Sequence, residues 1–174
     1  MGLVALLVTL LLAGCGSASW RRRNAGSVGP TSNRQDPALS GNGQLLASLV
    51  SRGERDTVIL QEQRSGRLLP LPQLQRLEPH RSPSLSWNGR YLALVGQQGD
   101  RRLVVILDRA RGQLHRIPLP GDVELERLSL APDGQRLAVG LLSHGRPALQ
   151  LIDLSGLLEA DRPGGLTSVG GGVP

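Results

Sequence analysis

Leu130-Ala131-Pro132-Asp133-Gly134-Gln135-Arg136-Leu137-Ala138 sets a tight turn between two apolar runs, and the chain writes the same phrase twice more upstream. The earlier copies are Leu39-Ser40-Gly41-Asn42-Gly43-Gln44-Leu45-Leu46-Ala47 and Leu85-Ser86-Trp87-Asn88-Gly89-Arg90-Tyr91-Leu92-Ala93. Asn-Gly or Asp-Gly between apolar segments accepts the positive φ angles of a short hairpin, so Gly43, Gly89 and Gly134 are predicted to be the turns of a repeat. They lie 46 and 45 residues apart, and each is followed after ten or eleven residues by a second glycine, Gly53, Gly99 or Gly145.

Working outward from these turns, each copy can be walked strand by strand. Residues 45–50, 91–95 and 137–142 are short apolar runs, the pattern of strands buried on both faces. Residues 57–60, 103–107 and 148–154 follow, rich in Val, Ile and Leu and suited to a second strand. Gly66, Gly112 and Gly156 then turn the chain again. In the first two copies an edge segment closes the unit, ending in Leu69-Pro70-Leu71-Pro72 or Ile117-Pro118-Leu119-Pro120, where proline forfeits no ladder donor. A period near 45 residues matches one four-stranded propeller blade. The predicted fold is therefore all-β, with three propeller-type blades of short antiparallel strands over about 36–80, 81–126 and 127–156.

Three blades leave a physical problem, because closed propellers have about four to eight and an open stack exposes unpaired strand edges. The expectation is an incomplete propeller or part of an oligomeric one. A homodimer giving six blades, an open curved sheet capped by tails or a partner, and a truncated homologue that folds poorly all meet the pattern. The dimer is preferred.

The phrase Leu-Ser/Ala-x-Asn/Asp-Gly-x-x-Leu-Ala, then a strand, a glycine turn and Val105-Ile106-Leu107-Asp108 or Leu151-Ile152-Asp153, resembles the TolB-type, WD-like propeller repeat. In that family the turn usually reads Ser-Pro-Asp-Gly, and Ala131-Pro132-Asp133-Gly134 is the nearest copy, while the first two turns carry Asn. The similarity covers about residues 36–156 and has no room for an amino-terminal α/β domain. It implies the repeat fold and an envelope location, and no binding residues are carried over, because the matched positions are turn and core positions.

Ahead of the repeats, residues 3–12 are apolar except for Thr9, too short to cross a bilayer as a helix and of the length of a signal-peptide core. The string Leu12-Ala13-Gly14-Cys15 resembles the lipobox of bacterial lipoproteins, which implies cleavage between Gly14 and Cys15 and lipidation of the Cys15 thiol. Cys15 is the single cysteine of the chain and so has no internal disulfide partner. Residues 1–14 are thus expected to be a lipoprotein signal peptide, 15–35 the lipidated N-terminus and a flexible tether, and 157–174 a disordered tail. Each buried methylene of a lipid adds about 0.8 kcal/mol of membrane affinity, so two acyl chains anchor stably. Arg21, Arg22 and Arg23, just beyond Cys15, add about 1 kcal/mol each at an anionic leaflet.

All 20 basic residues among the 174 are arginine, giving a formal charge of +6. Such a charge attracts nucleic acid, anionic lipid or acidic partners, or else belongs to the solvated faces of strands and turns. The chain has two Trp, one Tyr and no Phe, so a core must be aliphatic and base-stacking residues are scarce. Nucleic acid is accordingly not an expected partner.

Catalytic and metal-binding signatures are missing from the sequence. There is no Gly-x-Ser-x-Gly elbow, no phosphate loop and no Cys-x-x-Cys or His-x-x-x-His pair, and the lack of lysine excludes Schiff-base chemistry. His80, His115 and His144 are expected to be exposed turn or edge residues, and Glu124, Glu126, Asp108 and Asp153 to be solvated charges. No catalytic residue, metal or cofactor is assigned. The function expected is that of a lipid-anchored envelope protein acting as a non-enzymatic protein-interaction module. The alternatives are a cytoplasmic Arg-rich nucleic-acid-binding protein and a propeller whose sugar or ligand site is completed by oligomerisation.

Overall fold

The computed structural model describes residues 33–117, 119 and 123–163. Cys15, the cleavage site at Gly14, most of the expected tether and residues 164–174 lie outside them. The first sheet runs β1 (Arg34–Leu39), β2 (Leu45–Arg52), β3 (Arg55–Glu62) and β4 (Leu68–Leu69) in spatial order. A 3-10 turn, Pro72–Leu77, leads to the second sheet, β5 (Arg81–Leu85), β6 (Tyr91–Gln98), β7 (Arg101–Asp108) and β8 (Gln113–Ile117). The third consists of β9 (Glu124–Leu130), β10 (Arg136–Ser143) and β11 (Arg146–Asp153). Every pairing is antiparallel. The described residues form an incomplete propeller of three blades, as the 46- and 45-residue spacing predicts.

Strand β6 shows why the apolar runs are continuous rather than alternating. Tyr91, Ala93 and Val95 enter a cluster shared with Leu125, Leu128, Leu137 and Val139 of the third blade. The intervening Leu92 and Leu94 enter a second cluster with Leu45, Ala47, Leu49, Val58 and Leu60 of the first. A central blade is therefore covered on both faces, and each fully buried aliphatic side chain contributes about 1.5–3 kcal/mol of transfer energy.

The repeat turns add a packing constraint to their conformational one. Gly43, Gly89 and Gly134 have φ of 70°, 66° and 77°. A Cβ on Gly134 would stand 2.6 Å from Cδ2 of Tyr91, and one on Gly89 would stand 2.5 Å from Cδ1 of Leu45. Leu45 and Tyr91 are equivalent positions, so the second and third blades each slide their first β-hairpin turn over the residue that opens the second strand of the preceding blade.

Two boundaries differ from the sequence reading. Strand β1 begins at Arg34, paired with Val50, so Arg34 and Gln35 belong to the first blade and not to the tether; their polar side chains concealed the strand. The third blade has no fourth strand among the described residues, in keeping with an edge segment in the first two copies only, and the turn at Gly156 leads into a segment that crosses the second and third blades. Residues 157–163, expected to be part of a disordered tail from their Gly, Leu and Pro content, are ordered because Leu158 is buried in the second–third blade core and Asp161 is buried against the second turn.

Candidate functional site: a cleft on the inner strands

The first strand of each blade, β1, β5 and β9, is the innermost, and neighbouring inner strands pack side by side. All three are bulged. The register with the second strand shifts between Gln35 and Ala38 in β1 and between Arg81 and Ser84 in β5. In β9 it shifts between Arg127 and Leu125, leaving Glu126 as the extra residue. Asp36 and Ser82 hold φ of 48°, a left-handed backbone that costs roughly 1–2 kcal/mol for a residue with a side chain. Pro37 and Pro83 follow them directly, and bulges are where a strand interior admits proline.

Side chains lock these bulges together. Ser82 Oγ accepts from the Leu128 amide at 2.9 Å and donates to the Leu128 carbonyl at 3.2 Å, while Ser84 Oγ accepts from the Leu130 amide at 2.9 Å. The serines thus take the place of a ladder between β5 and β9. Bent inner strands leave a cleft of about 730 Å³ between them, lined from β1 by Gln35, Asp36 and Pro37, from β5 by Arg81, Ser82 and Pro83, and from β9 by Glu126, Arg127 and Leu128. Leu49 forms part of its floor, and Asp56, which accepts from Ser51 Oγ at 2.6 Å, part of its wall. Asp36, Arg81, Glu126 and Arg127 are exposed and close no ion pair among the described residues. A cleft with carboxylates and guanidiniums interleaved, and a backbone freed by bulges, suits the mixed polar groups of another polypeptide.

The second concentration of polar groups lies at the turn end of the second blade. Asp161 Oδ2 accepts from Ser86 Oγ at 2.5 Å, the Asn88 amide at 2.8 Å and the Arg90 amide at 3.4 Å, and Oδ1 accepts from Asn88 Nδ2 at 2.8 Å. In the other blades this turn is self-sufficient: Asn42 Oδ1 accepts from the Gln44 amide and Asp133 Oδ1 from the Gln135 amide, both at 3.0 Å. The second blade instead draws its turn carboxylate from the segment after the third. Nearby, Arg90 bridges Asp108 at 3.0 Å and Glu159 at 2.9 Å, and Arg111 also meets Glu159. Burial raises the Asp108 carboxyl, but the Arg90 guanidinium and the amides of Arg111 and Ala110 outweigh it and hold the group below its usual value.

Several residues expected to be solvated are not. His80 is buried: its Nδ1 accepts from the Val58 amide at 3.1 Å and its Nε2 donates to the Leu74 carbonyl at 3.0 Å, so it bridges the first blade and the 3-10 turn. Desolvation lowers its pKa from the ordinary value, against smaller opposing effects of the Leu74 carbonyl and Glu78. Asp108 is likewise buried, because the turn 108–111 folds its amides over the carboxylate. His144, Glu124, Glu126 and Asp153 are exposed and His115 is half-buried, with no two histidines brought together. Sequence reasoning missed the inner strands as a site; the usable signal was Asp36-Pro37 and Ser82-Pro83 at the 46-residue period.

No family model matches the chain, and no curated protein matches it. Solved structures do. The β-propeller domain of the Trilobed protease from Pyrococcus furiosus, described as having an open velcro topology, superposes with a TM-score of 0.56 at 15% identity, over 75% of this chain and 41% of that one. TolB from Acinetobacter baumannii gives 0.56 at 18% identity, over 70% and 30%. A protein assigned as TolB from Agrobacterium tumefaciens gives 0.57 at 15% identity, over 75% and 47%. At such identities the likeness is one of fold, that of TolB-like β-propellers, and the chain spans less than half the length of each.

Proposed function

We propose that this chain is a lipid-anchored, non-enzymatic interaction module of the bacterial cell envelope, tethered through Cys15 and facing the periplasm or exterior, whose inner-strand cleft holds an extended segment of a partner protein. The observation that carries the reading is the set of three bulges facing one cleft. Each bulge removes a residue from its ladder and turns it toward the opening, a device found beside binding sites because it re-aims side chains and frees backbone groups. Two arginines alternating with Asp36, Asp56 and Glu126 pair with a peptide's own mixed charges and backbone amides. The same carboxylates repel phosphate, which weighs against a nucleic-acid role despite the +6 formal charge.

The test combines location and contact in the native host. A clickable palmitate analogue is expected to label the wild type and to leave Cys15→Ser unlabelled. A photo-crosslinking residue at Arg127 is expected to trap a discrete protein adduct that the same residue at Gln113, on the outermost strand of the second blade, does not trap. Absence of label on well-expressed wild type removes the anchor, and equal adducts from both positions remove the cleft.

A further inference from the structure

We infer that two copies of this chain pair head to tail, the third blade of each docking on the first blade of the other, so that six blades surround one channel. The inference rests on comparing equivalent positions along the repeat and is independent of the lipid anchor and of what fills the cleft.

Val58, Val104 and Leu149 occupy the same place in successive blades, as do Leu60, Ile106 and Leu151. In the first two blades these side chains are covered by the next blade, with exposures of 4% and 0% at the first position and 0% and 0% at the second. In the third, Leu149 is 79% and Leu151 67% exposed. They share a face with Ala138, paired to Leu151, and Gly140, paired to Leu149, so the apolar surface extends across two strands. The face has kept the composition of a blade-to-blade contact although no blade among the described residues covers it.

The opposite end of the stack shows the complementary defect. Leu85 and Leu130, on the inner strands, press into the blade before them and are 6% and 5% exposed, while Leu39, their equivalent, is 58% exposed. Leu39 pairs with Leu46, and Val50 and Ile59 lie half-buried on the same face. The second blade covers the first through Leu92, Leu94, Val105 and Leu107, and the equivalent positions here are Leu46, Ser48, Ile59 and Gln61, two apolar and two polar, with Leu39 and Val50 beside them. One end of the molecule thus presents a face that lacks its cover, and the other end presents a cover that lacks its face. A second copy of the chain supplies both at once, and a two-fold axis makes the two contacts identical and closes the assembly. Closure also removes the open flank of the cleft, whose three bulged inner strands become half of a six-strand ring.

Light scattering on the full chain in mild detergent, with the protein mass separated from that of the micelle, tests this. The wild type is expected to have twice the mass of one chain. Leu149→Arg combined with Leu151→Arg, and separately Leu39→Arg, are each expected to be monomeric across the range in which the wild type is dimeric. All three positions are exposed in the protomer, so unchanged circular dichroism and urea midpoints check that folding is intact. Mixing the two variants is expected to restore a 1:1 dimer through the one contact in which both faces are unmodified. A monomeric wild type, a dimer that survives either variant, or loss of dimer only with the third-blade variant overturns the head-to-tail pairing; the last outcome indicates a third-blade to third-blade contact.

Discussion

Replacing Asp161 by Ala tests whether the segment after the third blade is a structural part of the propeller. The Ser86 hydroxyl that donates to it is fully buried, as is the Tyr91 amide that depends on the same oxygen at 2.9 Å. A hydrogen bond to a charged group is worth about 1.5–3 kcal/mol net, and stranding a buried partner costs roughly 1–3 kcal/mol. Water reaches the Asn88 side chain, so its two bonds to the segment can be exchanged for solvent and are left out of the total. The expected loss is therefore about 3 kcal/mol, read as a lowered urea midpoint with an unchanged slope, because the surface exposed on unfolding is nearly the same. Removing residues 157–174 takes away Leu158 as well, which adds a buried leucine's roughly 1.5–3 kcal/mol. Asp161→Asn keeps one oxygen and is expected to lose less than half as much as Asp161→Ala. A loss under about 0.5 kcal/mol for Asp161→Ala, within the range of an ordinary surface substitution, would refute the reasoning and return the segment to the status of a tail.

His80 supplies the pH dependence. Its folded pKa lies below its unfolded value near 6.5, so the unfolded state binds the extra proton first and stability falls as pH drops below that value; above it His80 contributes no slope. Urea midpoints from pH 7.5 to 5 are expected to decline in the wild type and to decline less in His80→Gln, and parallel curves would show that another group is responsible. Gly134→Ala meets both a φ of 77° and the Tyr91 ring at 2.6 Å, whereas Gly53→Ala meets a φ of 64° with nothing within 4 Å. The first is expected to cost roughly 2–4 kcal/mol and the second roughly 1–2 kcal/mol, the difference being the overpacking term; equal losses in equilibrium unfolding would remove the close approach as a cause.

The fold was legible where sequence and geometry share a local cause. Gly43, Gly89 and Gly134 announce themselves because a hairpin turn needs positive φ, and their period fixes the blade. The inner strands were not legible, because β1 reads Arg-Gln-Asp-Pro-Ala-Leu and its burial pattern is mostly exposed, so no apolar alternation marks it. His80 and Asp108 were misjudged for a related reason: each is buried by partners distant in sequence or by backbone amides, which residue type does not display. Nor did the composition of residues 157–163 reveal that Asp161 would complete a turn 73 residues away.

Asp161 and the exposed leucines obey one rule, that in a repeat protein a residue's surroundings are set by the neighbouring copy. Asn42 and Asp133 satisfy their own turns, so the second turn's dependence on an outside carboxylate makes the central blade hold the end of the chain in place. That fixes the third blade against the second and keeps its outer face, with Leu149 and Leu151, in the orientation that Val104 and Ile106 have one step earlier. Cleft, strap and open face are consequently coupled: loosening Asp161 should disturb the third inner strand, and with it the Glu126 and Arg127 wall of the cleft, before it disturbs the first blade.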